Sequence, residues 1–200
     1  MKRYAVKKTD SFENAEVGHI TESPWDYAKP PRTEFRAIRD EDALYIQLKC
    51  YEEAPVAKVV CRHGHVCNDS CMEFFFSPSS DCSLGYFNFE VNSNPTYLFD
   101  YGLDSGDGRF HVDADEELNV KAERGEDETG KYWQITASFP FDFIKRYAPE
   151  ADFSDGAAIR ANVYKCGKTD QEEHYASWSP VGTPGPNFHM PEFFGEFIFD

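Results

Sequence analysis

The stretch Tyr86-Phe87-Asn88-Phe89-Glu90-Val91-Asn92 sorts Phe87, Phe89 and Val91 to one side and Tyr86, Asn88, Glu90 and Asn92 to the other, without a slip. Successive side chains of a strand point to opposite faces, so these residues read as a β-strand with one apolar and one polar face. The same period of two continues in both directions. Leu44, Ile46 and Leu48 alternate with Tyr45, Gln47 and Lys49 in a strand expected over 43–51. The nearly continuous apolar run 71–77 has Glu73 inside it and the turn-forming SPSSDCSLG after it, and reads as a central strand. Further strands are expected over 96–101, 109–113, 118–124, 132–139, 159–166, 175–178 and 194–199, with Gly, Pro and Asp between them. About ten short strands at this spacing predict an all-β fold, an antiparallel β-sandwich of jelly-roll or immunoglobulin-like kind. One short peripheral helix is expected in 139–150, where Pro140 starts it, Phe143 and Tyr147 share a face and Pro149 stops it. No repeat, linker or shift in composition divides the 200 residues, so a single domain over 1–200 is expected.

Composition agrees with a β-rich fold and narrows the partners. Aromatic residues are 16% of the chain, with 18 Phe and 11 Tyr, and such side chains suit pleated, half-buried surfaces. A formal charge of -16 and a pI near 4.7 repel phosphate backbones and anionic lipid alike, so neither nucleic acid nor a membrane surface is expected as a partner. The basic start MKRYAVKKTDSFENAE is not followed by the apolar run of a signal peptide, which points to a cytoplasmic protein, with secretion by an unrecognised route as the alternative, and no stretch nears the roughly 20 apolar residues of a membrane helix. The cysteines at 50, 61, 67, 71, 82 and 166 form no C-x-x-C pair and no small disulfide framework, and read as free thiols.

Two metal readings arise from sequence. In CRHGHVC, an extended chain would put Cys61, His63, His65 and Cys67 on one face, but the outer two would then be about 20 Å apart. A polar loop leading into the next strand is the preferred reading, and no metal ligands are assigned. LDSGDGRF and the acidic DADEE supply oxygen ligands in turn-prone sequence without fitting an EF-hand loop. They read by default as solvated acidic turns. No cofactor is therefore expected, calcium being the one ion left open.

No catalytic signature is present: the chain has no G-x-S-x-G, P-loop, G-x-G-x-x-G after a strand or H-E-x-x-H. A polar strand face that carries aromatics is the stronger signal. Tyr86, Asn88, Glu90 and Asn92 share one such face, and Arg160, Asn162 and Tyr164 share another. Sugars need this mixture, because rings stack on their C–H faces while carboxylate, amide and guanidinium groups bond their hydroxyls. A solvated face with Tyr used for strand propensity is the alternative. Trp178, ending a strand at the start of the irregular 180–191 segment, is the expected stacking platform. Trp133 is expected in the core, and Trp25 as a plug at an end of the sandwich, with a place along a ligand edge as the alternative. His174 and His189 read as hydrogen-bonded loop residues.

Four motifs, DSCMEFFFSP at 69–78, YFNFEVN at 86–92, NVYKCG at 162–167 and SWSPVGTPGPNFHMPEFFGEFIF at 177–199, resemble family 9 carbohydrate-binding modules. They look in particular like the stand-alone, family-9-like branch of the DOMON-like superfamily. The resemblance runs from about Trp25 to the end. It implies a β-sandwich that binds mono- or oligosaccharides without cleaving them, often alongside glycoside hydrolases. It also implies a sugar end clamped between two Trp rings, hydroxyls bonded by Glu, Arg and Asn, and loops buttressed by calcium. By motif, Glu73 matches the Glu after the D-S pair and Trp178 approximately matches a C-terminal Trp. Glu90 stands where the family has Arg before V-N, and HVCN stands where the first clamp Trp belongs. The expected sugar site is therefore Glu73, Tyr86, Asn88, Glu90, Arg160, Asn162, Tyr164 and Trp178, rimmed by the 180–191 loop. The rival readings are a protein-interaction sandwich that has lost sugar binding and an accessory domain of a hydrolase. A haem-binding relative is disfavoured with only three Met present.

Overall fold

The computed structural model describes residues 1–106 and 108–200, and the backbone alone of Asp115. The strands are β1 (Arg3–Lys8), β2 (Gly18–His19), β3 (Thr33–Arg39), β4 (Ala43–Cys50), β5 (Cys71–Ser77), β6 (Tyr86–Asn92), β7 (Tyr97–Gly102) and β8 (Phe110–His111). They continue with β9 (Lys121–Asp127), β10 (Gly130–Pro140), β11 (Ala158–Gly167), β12 (His174–Ser177) and β13 (Gly195–Phe199). Two single-turn α-helices lie among the described residues, α1 (Asp115–Leu118) and α2 (Phe141–Ile144). The second occupies the expected helical segment and the first was not foreseen. None of the described helices is long and apolar enough to cross a membrane.

Hydrogen bonding links the strands in the order β8-β7-β6-β5-β11-β13-β1-β3-β4-β10-β9, with β12 beside β11 and β2 beside β3. The path turns back on itself at β1. Its first half, Arg3 to Val6, pairs with β13, and Lys7 and Lys8 pair with β3. Both of these pairings are parallel, so the sandwich is mixed where an antiparallel one was expected. Sequence patterning reveals strands but not their partners, and β1 and β3 were missed because charged residues interrupt RYAVKK and TEFRAIR.

The two halves face each other across an aromatic core. Phe139 of β10 meets Phe74 at 5.5 Å and Phe89 at 5.6 Å between ring centroids, which joins one sheet to the other. Phe87, Phe89 and Val91 point into this core as the alternation requires, and none of the three is exposed. Trp133 lies in it as well.

The outer face of β5, β6 and β11 is also covered. A second apolar cluster, built on Phe75, Tyr86 and Tyr164, is roofed by residues 56–69 and 179–194. Burial on both faces explains why β5 reads as an almost unbroken apolar run and β6 is buried throughout. Asp69 fastens the first roof segment: its carboxylate accepts from the Val59 backbone N–H and from Asn92 Nδ2, both at 2.9 Å.

Candidate functional site

A cavity of about 180 Å3 opens between this outer face and the long loop. Glu73 and Glu90 form its floor. They are direct cross-strand neighbours on β5 and β6 and are 2% and 5% exposed. Cys67, Cys166 and Lys168 line one side, Tyr175 of β12 another, and Pro186 to His189 of the loop the wall.

The floor is electrostatically unusual. Burial, with the Cys166 thiol against it, pushes Glu73 well above the ordinary carboxylate range, and burial with Glu73 opposite does the same to Glu90. Two buried carboxyls this close favour keeping a proton, so the pair offers a donor as well as acceptors. Asn88 Nδ2 donates to Glu90 Oε1 at 2.9 Å, and Cys166 Sγ donates to Glu73 Oε1 at 3.1 Å. Lys168 supplies the nearby positive charge; burial opposes that charge, but the surrounding Cys67, Cys166, Glu73 and Glu90 prevail and raise its pKa.

The loop is held to the sheet by the polar residues of β6 and β11. Tyr86 Oη bonds His189 Nδ1 at 2.8 Å, and Tyr164 Oη donates to the Phe188 carbonyl at 3.1 Å. Tyr164 and Phe188 also stack at 4.1 Å between centroids. Asn162 accepts from the Ser179 N–H at 2.8 Å and donates to the Ser179 carbonyl at 2.9 Å, which fixes the start of the loop. Arg160 donates to the carbonyls of Gly195, at 3.2 Å, and of Phe194, which fixes its end. Arg109 lies over the Tyr86 ring at 3.9 Å and donates to Asn88 Oδ1. Burial and this guanidinium pull His189 down to about 4, so its ring is neutral at physiological pH.

The structure therefore divides the expected site residues. Glu73 and Glu90 line the cavity. Tyr86, Asn88 and Tyr164 stand directly behind its walls, while Arg160 and Asn162 spend their bonds on the loop's backbone.

Trp178 departs from expectation outright. Its N–H bonds the Val163 carbonyl at 2.8 Å, which continues the β12 to β11 ladder by one residue. Ala176 and Trp178 therefore point into the core while Tyr175 and Ser177 point outward. The Trp178 ring packs edge-on against Phe35 and Phe197 at 5.7 and 5.4 Å and is no stacking platform. Trp25 is buried as a plug would be, but in the outer cluster and not at an end of the sandwich. Its Nε1 donates to the Thr183 carbonyl at 2.9 Å and its ring meets Tyr175 and Phe188. No tryptophan lines the cavity; Tyr175 and Phe188 are its aromatic walls.

The 180–191 loop borders the cavity as expected, through residues 186–189, while sequence reasoning missed Cys67, Cys166, Lys168 and Tyr175 as cavity lining. A signal for some of them existed. The alternation Arg160, Asn162, Tyr164 extends to Cys166 and, one residue past the strand, to Lys168. Cys67 belongs to the HVCN segment where the resemblance places a clamp Trp, and it does face the cavity, with a small thiol. Which residues of the loop face the cavity was not readable, because the loop carries no period. Asp107 of LDSGDGRF and the side chain of Asp115 in DADEE lie outside the described residues. All six cysteines are free thiols.

The pattern of carbohydrate-binding family 9 matches residues 5–199, and the chain belongs to that family. It is thus a non-catalytic carbohydrate-binding domain. A candidate carbohydrate-binding protein from Bacteroides uniformis ATCC 8492 shares its architecture with a TM-score of 0.82 at 27% identity, covering 100% of this chain and 99% of the other. A family 9 module from Caldicellulosiruptor kristjanssonii in complex with cellotriose follows at 0.70 and 13%, covering 99% and 93%. One from the same organism in complex with glucose stands at 0.67 and 14%, covering 100% and 96%. At those identities the last two share the fold. Nothing among curated proteins matches the chain.

Proposed function

We propose that the domain captures the terminal unit of a sugar chain in the cavity between the Glu73–Glu90 floor and residues 186–189. The observation that carries this reading is the coincidence of three things in one small space. Paired carboxyls that both donate and accept, a lysine, and two aromatic walls all converge there. The volume is below the roughly 300–1,000 Å3 of sites for larger ligands, which suits a single ring. Tyr175 and Phe188 replace the paired tryptophans, so stacking contributes less and the polar floor more.

Isothermal titration with glucose, xylose, cellotriose and xylotriose tests the reading. Saturable binding is expected, carried by the chain end and so of similar strength for a monosaccharide and its oligomer. Lys168→Met removes a charge-assisted bond worth about 1.5–3 kcal/mol, which weakens binding roughly ten- to a hundredfold. A folded protein silent across the panel, or one whose binding is unchanged by Lys168→Met, overturns the assignment.

A further inference from the structure

Beside the cavity, on the outer face of β7 and β8, three side chains come together that sugar binding does not use. Asp100 and His111 are cross-strand neighbours, and Asp100 Oδ1 lies 2.6 Å from His111 Nδ1. His63 arrives from the loop that precedes β5. Its N–H bonds the Tyr97 carbonyl at 3.1 Å, and its backbone takes the left-handed conformation, φ 56°, that a non-glycine residue adopts at a cost. This turn carries the His63 ring onto the His111 ring, stacked at 4.4 Å. Both ring nitrogens of His63 are buried and lack a hydrogen-bond partner. Buried polar atoms are almost always satisfied, so such a pair calls for an explanation.

The geometry points to a divalent transition-metal site of the zinc class, held by His63, Asp100 and His111. One ligand atom from each residue lies within 4.8 Å of the others. A tetrahedral zinc with bonds near 2.1 Å wants them about 3.4 Å apart, a contraction that side-chain rotation supplies. Two imidazoles and a carboxylate suit zinc and its neighbours in the transition series, not calcium or magnesium, which prefer all-oxygen shells. Asp113, with an oxygen 3.9 Å from His63 Nε2, is placed to complete the shell, and water is the alternative fourth ligand. The Arg62 guanidinium, 3.8 Å from Asp113, is the nearby charge that opposes a cation, and Asp100 and Asp113 together outweigh it.

The sequence had hinted at metal here through CRHGHVC, but in the wrong grouping. Residues 61–68 turn instead of extending, so Cys61 and His65 are exposed, Cys67 enters the cavity and His63 alone reaches the partners on β7 and β8. Bound metal would pin the 61–68 segment to the β7–β8 edge, and that segment includes the cavity wall at Cys67.

Titration of the full chain with zinc and with cobalt(II) tests the proposal. One equivalent is expected to bind and to raise the thermal midpoint, since an ion that binds only the folded state stabilises it. Cobalt should show visible d–d bands without a thiolate charge-transfer band. His111→Ala and His63→Asn, the latter keeping a residue tolerant of positive φ, should each weaken binding by about a hundredfold or more, beyond the 10–100-fold typical of second-sphere losses. Their circular dichroism should match the wild type. A thiolate band that disappears in Cys71→Ser would move the ion to the buried Cys71–Glu73–Cys166 cluster and overturn the assignment. Absence of binding, or binding unchanged in both histidine variants, would overturn it equally.

Discussion

At the scale of single residues, the division of labour between Trp178 and Glu90 separates stability from recognition. Trp178 fills the space between Phe35 and Phe197 and is 5% exposed, so Trp178→Ala opens a core cavity. The expected loss is about 3–5 kcal/mol, read as a lower urea midpoint. A substitution here that left stability intact while abolishing sugar binding would restore Trp178 to the surface role its position in the chain suggests. Glu90 is the converse case. It stands where the family motif has Arg, yet its neighbours accommodate a carboxyl: Asn88 donates to it, Glu73 stands opposite it on the next strand, and Lys168 lines the same cavity. The charge reversal is thus built into the surrounding residues, and the ligand's hydroxyls meet a different set of donors and acceptors.

At the scale of elements, the junction of β13, β1 and β12 is closely packed. A Cβ placed on Gly195 would lie 2.4 Å from Trp178 Cζ3 and 2.8 Å from the Lys2 carbonyl oxygen. The ring has some room to move, but the carbonyl belongs to the backbone leading into β1 and does not. Gly195→Ala is therefore expected to cost about 1–3 kcal/mol and to loosen the β1–β13 pairing. Hydrogen exchange at Tyr4 and Val6 measures the loosening, and unchanged protection there would show that the sheet adapts freely. The loop over the cavity is fixed by side chains of β11 at both ends, Asn162 at Ser179 and Arg160 at Phe194 and Gly195. Polar residues that look from sequence like a ligand's partners are spent on shaping the cavity.

At the scale of the whole molecule, the buried carboxyl pair sets how stability follows pH. Both groups have folded-state pKa values raised above the usual 4.5, so the native state holds more protons than the unfolded chain once pH exceeds that value. Their contribution is fully present below about 4.5 and is lost as pH rises through the folded values. His189, held near 4, acts in the opposite sense below 6.5 and is silent above it. As pH rises from 4.5 through those folded values, their contribution to the thermal midpoint is therefore expected to decline, and to decline less in Glu90→Gln, where one titrating group is gone. Parallel profiles for the two proteins would contradict a raised Glu90 carboxyl.

Much of this architecture was legible in the chain. Residues 71–77 and 86–92 are strands with the expected bounds, because alternation along a strand is local and needs no partner to be seen. The polar face that holds Glu73 and Glu90 follows from the same period, and so does the aromatic core. Family membership, too, rests on motifs written in the sequence. Tertiary structure alone decided the rest. Whether a polar face meets water or a roof depends on where residues 56–69 and 179–194 pack. Which side of the sheet Trp178 enters depends on the register of β12 against β11 and on the space at Gly195. His63 meets Asp100 and His111 only because the chain turns at positive φ. These are contacts between residues far apart in sequence, fixed by pairing and excluded volume, and periodicity along one segment carries no information about them.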